Sequence, residues 1–165
     1  MKLPCRAYID IETTGFNPYS DELTVVGICL ERGRDREVVQ LYDGTLSRKS
    51  ILNAVRHADI LYSYNGARFD LPFIKISIGA DLTQETEHRD LMHHCWRRDL
   101  WGGQKAVECQ LGISRETAGI DGADAVDLWR DYKNNGNNRA LRTLLKYNAE
   151  DVTNLAFIRR KLGVR

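Results

Sequence analysis

The sequence predicts an α/β protein, a mixed sheet covered by helices. Three observations carry that reading. Short β-branched runs separated by polar turns fill the first part of the chain, a helix-strand-helix crossover follows, and the second half is mostly helical.

Arg6 to Ile11 (RAYIDI) reads as a short apolar strand ending in acids. Leu23 to Leu30 (LTVVGICL) is a second strand, and ERGRDRE supplies a polar turn before a third at Val38 to Tyr42. These three segments form an antiparallel meander. Ser47 is placed to cap a helix running through about His57, with Ile51, Leu52 and Val55 on one face. Ile60 to Tyr64 is another strand, and Asp70 to Ile78 a helix with Pro72 in its first turn. Further helices are predicted over residues 103–111 and 123–133, and Asn134 to Asn138 is a break. Residues 139–150 and 152–162 form one bent helix or two. No element is assigned within residues 80–102.

The 165 residues, 42% hydrophobic and 28% charged, suit one globular domain spanning 1–165. No apolar run approaches the roughly 20 residues needed to cross a bilayer, and MKLPCRAYIDIE reaches its acids too early for a secretory leader. The expected setting is the cytoplasm, away from membranes. The four cysteines, Cys5, Cys29, Cys95 and Cys109, include no C-x-x-C pair. Three sit among apolar or aromatic neighbours and read as buried thiols. His93-His94-Cys95 is not a metal motif, because adjacent residues diverge on a helix or a strand. The net charge is +1, but Leu128 to Arg165 carries nine basic residues against three acids.

Three clusters have chemical potential. In Asp10-Ile11-Glu12-Thr13-Thr14-Gly15, residues two apart on a strand share a face, so Asp10 and Glu12 project together. Such like charges repel unless a cation joins them, and hard oxygen ligands suit Mg²⁺ or Mn²⁺. The turn Thr13-Thr14-Gly15 offers backbone N–H groups to a phosphate or hydroxyl. In the second cluster, Tyr64 to Phe73, a strand ends, a glycine turn follows, and Asp70 stands at a helix entry. Helix capping alone would also explain it. In the third, Tyr147 and Asp151 are four apart on a helix and therefore neighbours, whereas Glu150 points elsewhere. Setting aside Asp10, Glu12, Asp70 and Asp151 leaves a framework of +5, so bound cations would leave a mildly basic protein.

In order and kind, these clusters resemble the DEDD superfamily of 3′→5′ exonucleases. Its first motif looks like D-x-E-T-T-G, matched by Asp10 to Gly15. Its second places Asp after an aromatic residue, with an upstream Asn, as in Asn65 and Phe69-Asp70. The tyrosine subclass ends in Y-x-x-x-D, matched by Tyr147 and Asp151. YNGARFDLPFI is similar to the exonuclease segment of family B DNA polymerases, and GGQKAVECQLGI with the long helical tail to YprB-type RNase H-like exonucleases. YprB-type relatives often carry His where this chain has Tyr147. The resemblance, from about residue 6 to 160, implies an RNase H-like five-stranded mixed sheet and a two-metal 3′→5′ exonuclease. Asp10, Glu12, Asp70 and Asp151 would bind two Mg²⁺ or Mn²⁺, and Tyr147 would orient the attacking water. Thr13 and Thr14 would hold the terminal hydroxyl, and Asn65 and Phe69 the last nucleotide. Arg139, Arg142 and Lys146 are further phosphate candidates. The partner implied is single-stranded nucleic acid or a frayed 3′ end. An RNase H-like endonuclease and an inactive nucleic-acid-binding module stay open as alternatives.

Overall fold

Five strands form one mixed sheet in the computed structural model, which describes residues 3–165. β1 (Cys5–Thr13), β2 (Leu23–Arg32) and β3 (Asp35–Tyr42) make the antiparallel meander that the sequence predicts. β4 (Ile60–Ser63) and β5 (Glu87–Asp90) join in parallel on the other side of β1, giving the order β3-β2-β1-β4-β5. The helices are α1 (Arg48–Val55), α2 (Asp70–Ile78), α3 (Leu91–Trp96), α4 (Gln104–Gln110), α5 (Gly122–Asn135) and α6 (Asn138–Lys161). This is the RNase H-like α/β arrangement. None of these helices is long and apolar enough to cross a membrane.

Strand alternation decides which layer covers which face. Ile9, Ile11, Val26 and Ile28 pack with Ile51 and Val55 of α1 and Phe73 and Ile74 of α2. Tyr8, Cys29 and Tyr62 point the opposite way, onto Val152, Leu155 and Ile158 of α6. Asp10 and Glu12 continue the row begun by Tyr8, so they face α6. A third cluster joins Val25 of β2, Trp129 of α5, and Leu144 and Tyr147 of α6.

The structure departs from the sequence reading in two places and settles an alternative in a third. The polar run between β2 and β3 is mostly strand, with a two-residue turn at Gly33-Arg34. Glu31 is buried there because it is surrounded by cations: Arg36 of β3 at 3.2 Å, and Arg159 and Arg160 of α6 at 3.1 and 2.7 Å. Residues 80–102 contain β5 and α3. β5 has the sequence Glu-His-Arg-Asp, which carries no apolar alternation and becomes a strand only by pairing with β4. The chain from Asn138 to Lys161 is one continuous helix capped by Asn137, whose side chain accepts from the N–H groups of Arg139 and Ala140. Asp151 therefore sits in mid-helix, facing the sheet.

Candidate active site

The strand order reverses at β1, and the candidate residues gather around the C-terminal part of that strand, near the usual crevice of such sheets. β4 pairs with β1 only as far as Tyr8, so the later β1 backbone is open on that side. Asp70 fills part of the gap, its Oδ1 accepting the Ile11 N–H at 3.2 Å. It is the first residue of α2, is buried, and does not cap the helix. The loop before it is held by Asp90, which accepts from the N–H groups of Asn65 at 2.8 Å and Ala67 at 3.1 Å.

Asp10 and Glu12 of β1 meet Asp151 of α6, and each offers an oxygen within 4.8 Å of the others. Burial is the largest influence on all three carboxyls and on Asp70, with neighbouring acids adding to it. Asp70 is pushed up to about 7 and Asp151 to about 6, and Asp10 and Glu12 stand well above the ordinary carboxylate value. Acids so arranged are a good donor set for a hard divalent cation. Asp70 lies outside the three-carboxylate group but close enough to raise Asp10 and Glu12 further.

Tyr147 is buried on the same face of α6. Its oxygen accepts from Lys105 Nζ at 2.9 Å, leaving its own proton free to be donated. Burial and the three acids hold the phenol well above its ordinary range, so it is protonated.

Several side chains found here have no role in the sequence reading. Asn148 Nδ2 reaches the Asp10 carbonyl and Oδ2 at 3.3 Å and Glu12 Oε1 at 3.4 Å. Its place next to Tyr147 and three residues before Asp151 was an available signal. Gly27, which pairs with Asp10, makes room for it: a Cβ there would lie 2.1 Å from Asn148 Oδ1. Arg115 donates to Asp151 and, at 2.9 and 2.8 Å, to both oxygens of Glu108. Gln104 Nε2 donates to the Asp151 carbonyl at 2.9 Å. Glu150 does point away, accepting from the N–H groups of Glu116 and Thr117 and so fixing the loop that carries Arg115.

Beside Glu12 lies a cavity of about 300 Å³, lined in part by Thr13, Thr14, Gly15, Phe16, Phe69 and Ala123. Phe16, 89% exposed, stands 6.1 Å from the half-buried Phe69, ring centre to ring centre. The turn is less free than the sequence suggests. The Thr14 N–H bonds the Glu22 carbonyl and the Thr13 hydroxyl donates to the Gly15 carbonyl, because the β1–β2 register shift after Glu12 folds this segment onto β2. Asn65 adopts a left-handed backbone (φ 59°) and is not among the cavity-lining residues. Lys146 pairs with Glu116, whereas Arg139 and Arg142 are exposed. Cys5, Cys29 and Cys95 are buried and Cys109 is exposed.

No curated protein sequence matches this chain. Among solved structures, it is similar to a family B DNA polymerase of the archaeon Pyrobaculum calidifontis (16% identity, TM-score 0.73, 98% of this chain). The chain spans only 25% of that polymerase. NrnC of Brucella melitensis is similar over 97% of this chain and 72% of its own (21% identity, TM-score 0.60), and is also known with bound Mg²⁺. The ExoI–ssDNA complex of E. coli, in its zinc-bound form, shares the fold over 87% of this chain and 43% of its own (14% identity, TM-score 0.50). A family model described as the RNase_H superfamily matches residues 7–163. With that match, and the sheet order and acidic crevice that accompany it, the chain belongs to the RNase_H superfamily.

Proposed function

We propose that this protein is a metal-dependent 3′→5′ exonuclease acting on single-stranded nucleic acid or a frayed 3′ end. The convergence of Asp10, Glu12 and Asp151, with Asp70 beside them, is the observation that carries this reading. The Mg²⁺ seen in NrnC and the single-stranded DNA seen with exonuclease I support it by analogy.

Asp10, Glu12 and Asp151 would hold one divalent cation, and Asp70 with Asp10 a second. Bound there, such cations lower the pKa of water and stabilise charge on a phosphoryl group in transit. The protein's own groups do the rest. Tyr147, kept protonated by burial, donates a hydrogen bond that orients the attacking water. Asn148 donates to Asp10 and Glu12 and restricts their rotation. Phe69 and Phe16 take the terminal base in the cavity beside Glu12, with Thr13 and Thr14 at the sugar.

A 5′-labelled single strand tests the proposal. Mononucleotides should be released in Mg²⁺ or Mn²⁺ but not in chelator, and a 3′-phosphate should block release where a 5′ block does not. Undiminished hydrolysis in chelator would remove the mechanism, and cutting of a circular single strand would favour an endonuclease.

A further inference from the structure

Two tryptophans outside the three core clusters stand at the end of α3 (Trp96) and in the segment that follows it (Trp101). Trp101 is 58% exposed, and its ring stacks on that of Trp96 at 5.9 Å between centres and 25° between planes. His93 meets Trp96 edge-on at 5.7 Å, and Arg97 and Arg98 are exposed beside them. Most indoles shed water into a core. Here Trp101 stacks on the half-buried Trp96 and is itself left largely open to solvent.

The surrounding contacts tie the segment that carries Trp101 to the site. Tyr64, at the end of the strand leading to Asp70, donates its hydroxyl to the Gly102 carbonyl at 2.6 Å, and Gln110 Nε2 donates to the Trp101 carbonyl at 2.8 Å. The next residues reach into the site, Gln104 to the Asp151 carbonyl and Lys105 to the Tyr147 hydroxyl. Three residues of chain span at most about 11 Å, so the Trp101 backbone lies within that distance of Gln104's. The chain turns sharply here, with Asp99 (φ 56°) and Gly102 (φ 107°) both in positive-φ conformations.

We infer that Trp96 and Trp101 form a base-stacking platform for the nucleotides preceding the terminal one in a bound single strand. This rests on the exonuclease reading for where the 3′ end lies. The observations favour single-stranded nucleic acid because an indole face suits any unpaired base, whereas a duplex keeps its bases stacked on one another. Arg97 and Arg98 donate to the carbonyls of His93, His94 and Leu162, and their exposed positive charge suits the phosphates between those bases. The cavity at Phe16 and Phe69 has room for the terminal nucleotide, so the platform provides for the length of strand beyond it.

Binding and turnover are measured separately, so that failure of the platform and failure of the nuclease reading can be told apart. Anisotropy of a 5′-labelled 12-mer and quenching of tryptophan fluorescence, both in Ca²⁺, report binding; hydrolysis in Mn²⁺ is followed for the 12-mer and a dinucleotide. Trp101→Ala should weaken 12-mer binding about tenfold, the scale of one base–aromatic stack, and remove most of the quenching. Its KM should rise much more for the 12-mer than for the dinucleotide, and Trp101→Phe should recover most of the loss. If the parent binds but does not cut, the nuclease reading fails while the binding arm still decides the platform. Equal 12-mer affinity in parent and Trp101→Ala, or preferential binding of blunt duplex by the parent, would overturn it.

Discussion

Removing Arg115 should cost both stability and activity, and a second substitution should separate the two. Its side chain is 6% exposed and Glu108 is wholly buried, and they share two contacts of 2.9 and 2.8 Å. A buried pair of this kind adds little net stability, but breaking it from one side strands a charge at a cost of about 3–5 kcal/mol. Arg115→Met strands Glu108 and withdraws the only cation bonded to Asp151 among the described residues. That cost is a large share of the 5–15 kcal/mol that typically holds a domain together. Arg115→Met paired with Glu108→Gln leaves no orphan charge and should regain most of the lost stability. It does not restore the hold on Asp151, and a shift of about 1 Å in such a group costs on the order of 10²-fold in rate. Urea unfolding in chelator should rank parent, double variant and Arg115→Met in that order. Nuclease assays at a temperature where all are folded should leave both variants about a hundredfold slow. A double variant with parental activity would refute the reasoning and reduce Arg115 to a counter-charge.

Three further outcomes follow from the same geometry. Asp70 and Asp151 titrate above the unfolded carboxylate value near 4, so the metal-free folded state takes up protons, and their contribution to stability falls as pH rises through 6 to 7. Acids held low, such as Glu31, act in the opposite direction, so the measurement is the difference in urea midpoint between parent and Asp70→Asn in chelator; a difference that grows in the parent's favour with pH would contradict it. Gly27→Ala should cost about 1–3 kcal/mol in thermal unfolding by driving a methyl into Asn148, and Asn148→Ala in the same chain should recover part of it. Tyr147→Phe keeps the ring and loses the donor, so turnover should fall roughly 10²–10⁴-fold while Mn²⁺ affinity stays near the parent's. Full activity there would leave Tyr147 a packing residue.

Four strands and two pairs of site residues were legible in short-range periods, whereas the joining of the four carboxylates into one site came from the resemblance of the motifs. A spacing of two placed Asp10 and Glu12 on one face of β1, and a spacing of four placed Tyr147 beside Asp151 on α6. β5 was not legible, since Glu87 to Asp90 has no apolar alternation and takes its geometry from β4. Asp90 went unread for the same reason, although its carboxylate holds the loop that delivers Asp70.

The cations around the site were illegible for a different reason, which bears on how the site works. Clustered acids raise one another's pKa and would tend to protonate, losing their grip on a metal. Arg115, from a loop, and Lys105, at the start of α4, oppose this by lowering Asp151 against its burial, and Lys105 also lowers Glu12. Neither belongs to a spacing motif with the acids, because each reaches them only after α4 packs on α6 and Glu150 fixes the loop at Glu116 and Thr117. The pairs Asp10–Glu12 and Tyr147–Asp151 are therefore local in sequence, while their meeting and their counter-charges are supplied by tertiary structure. Loosening the loop that carries Arg115 should change the protonation of Asp151 without altering any proposed metal ligand.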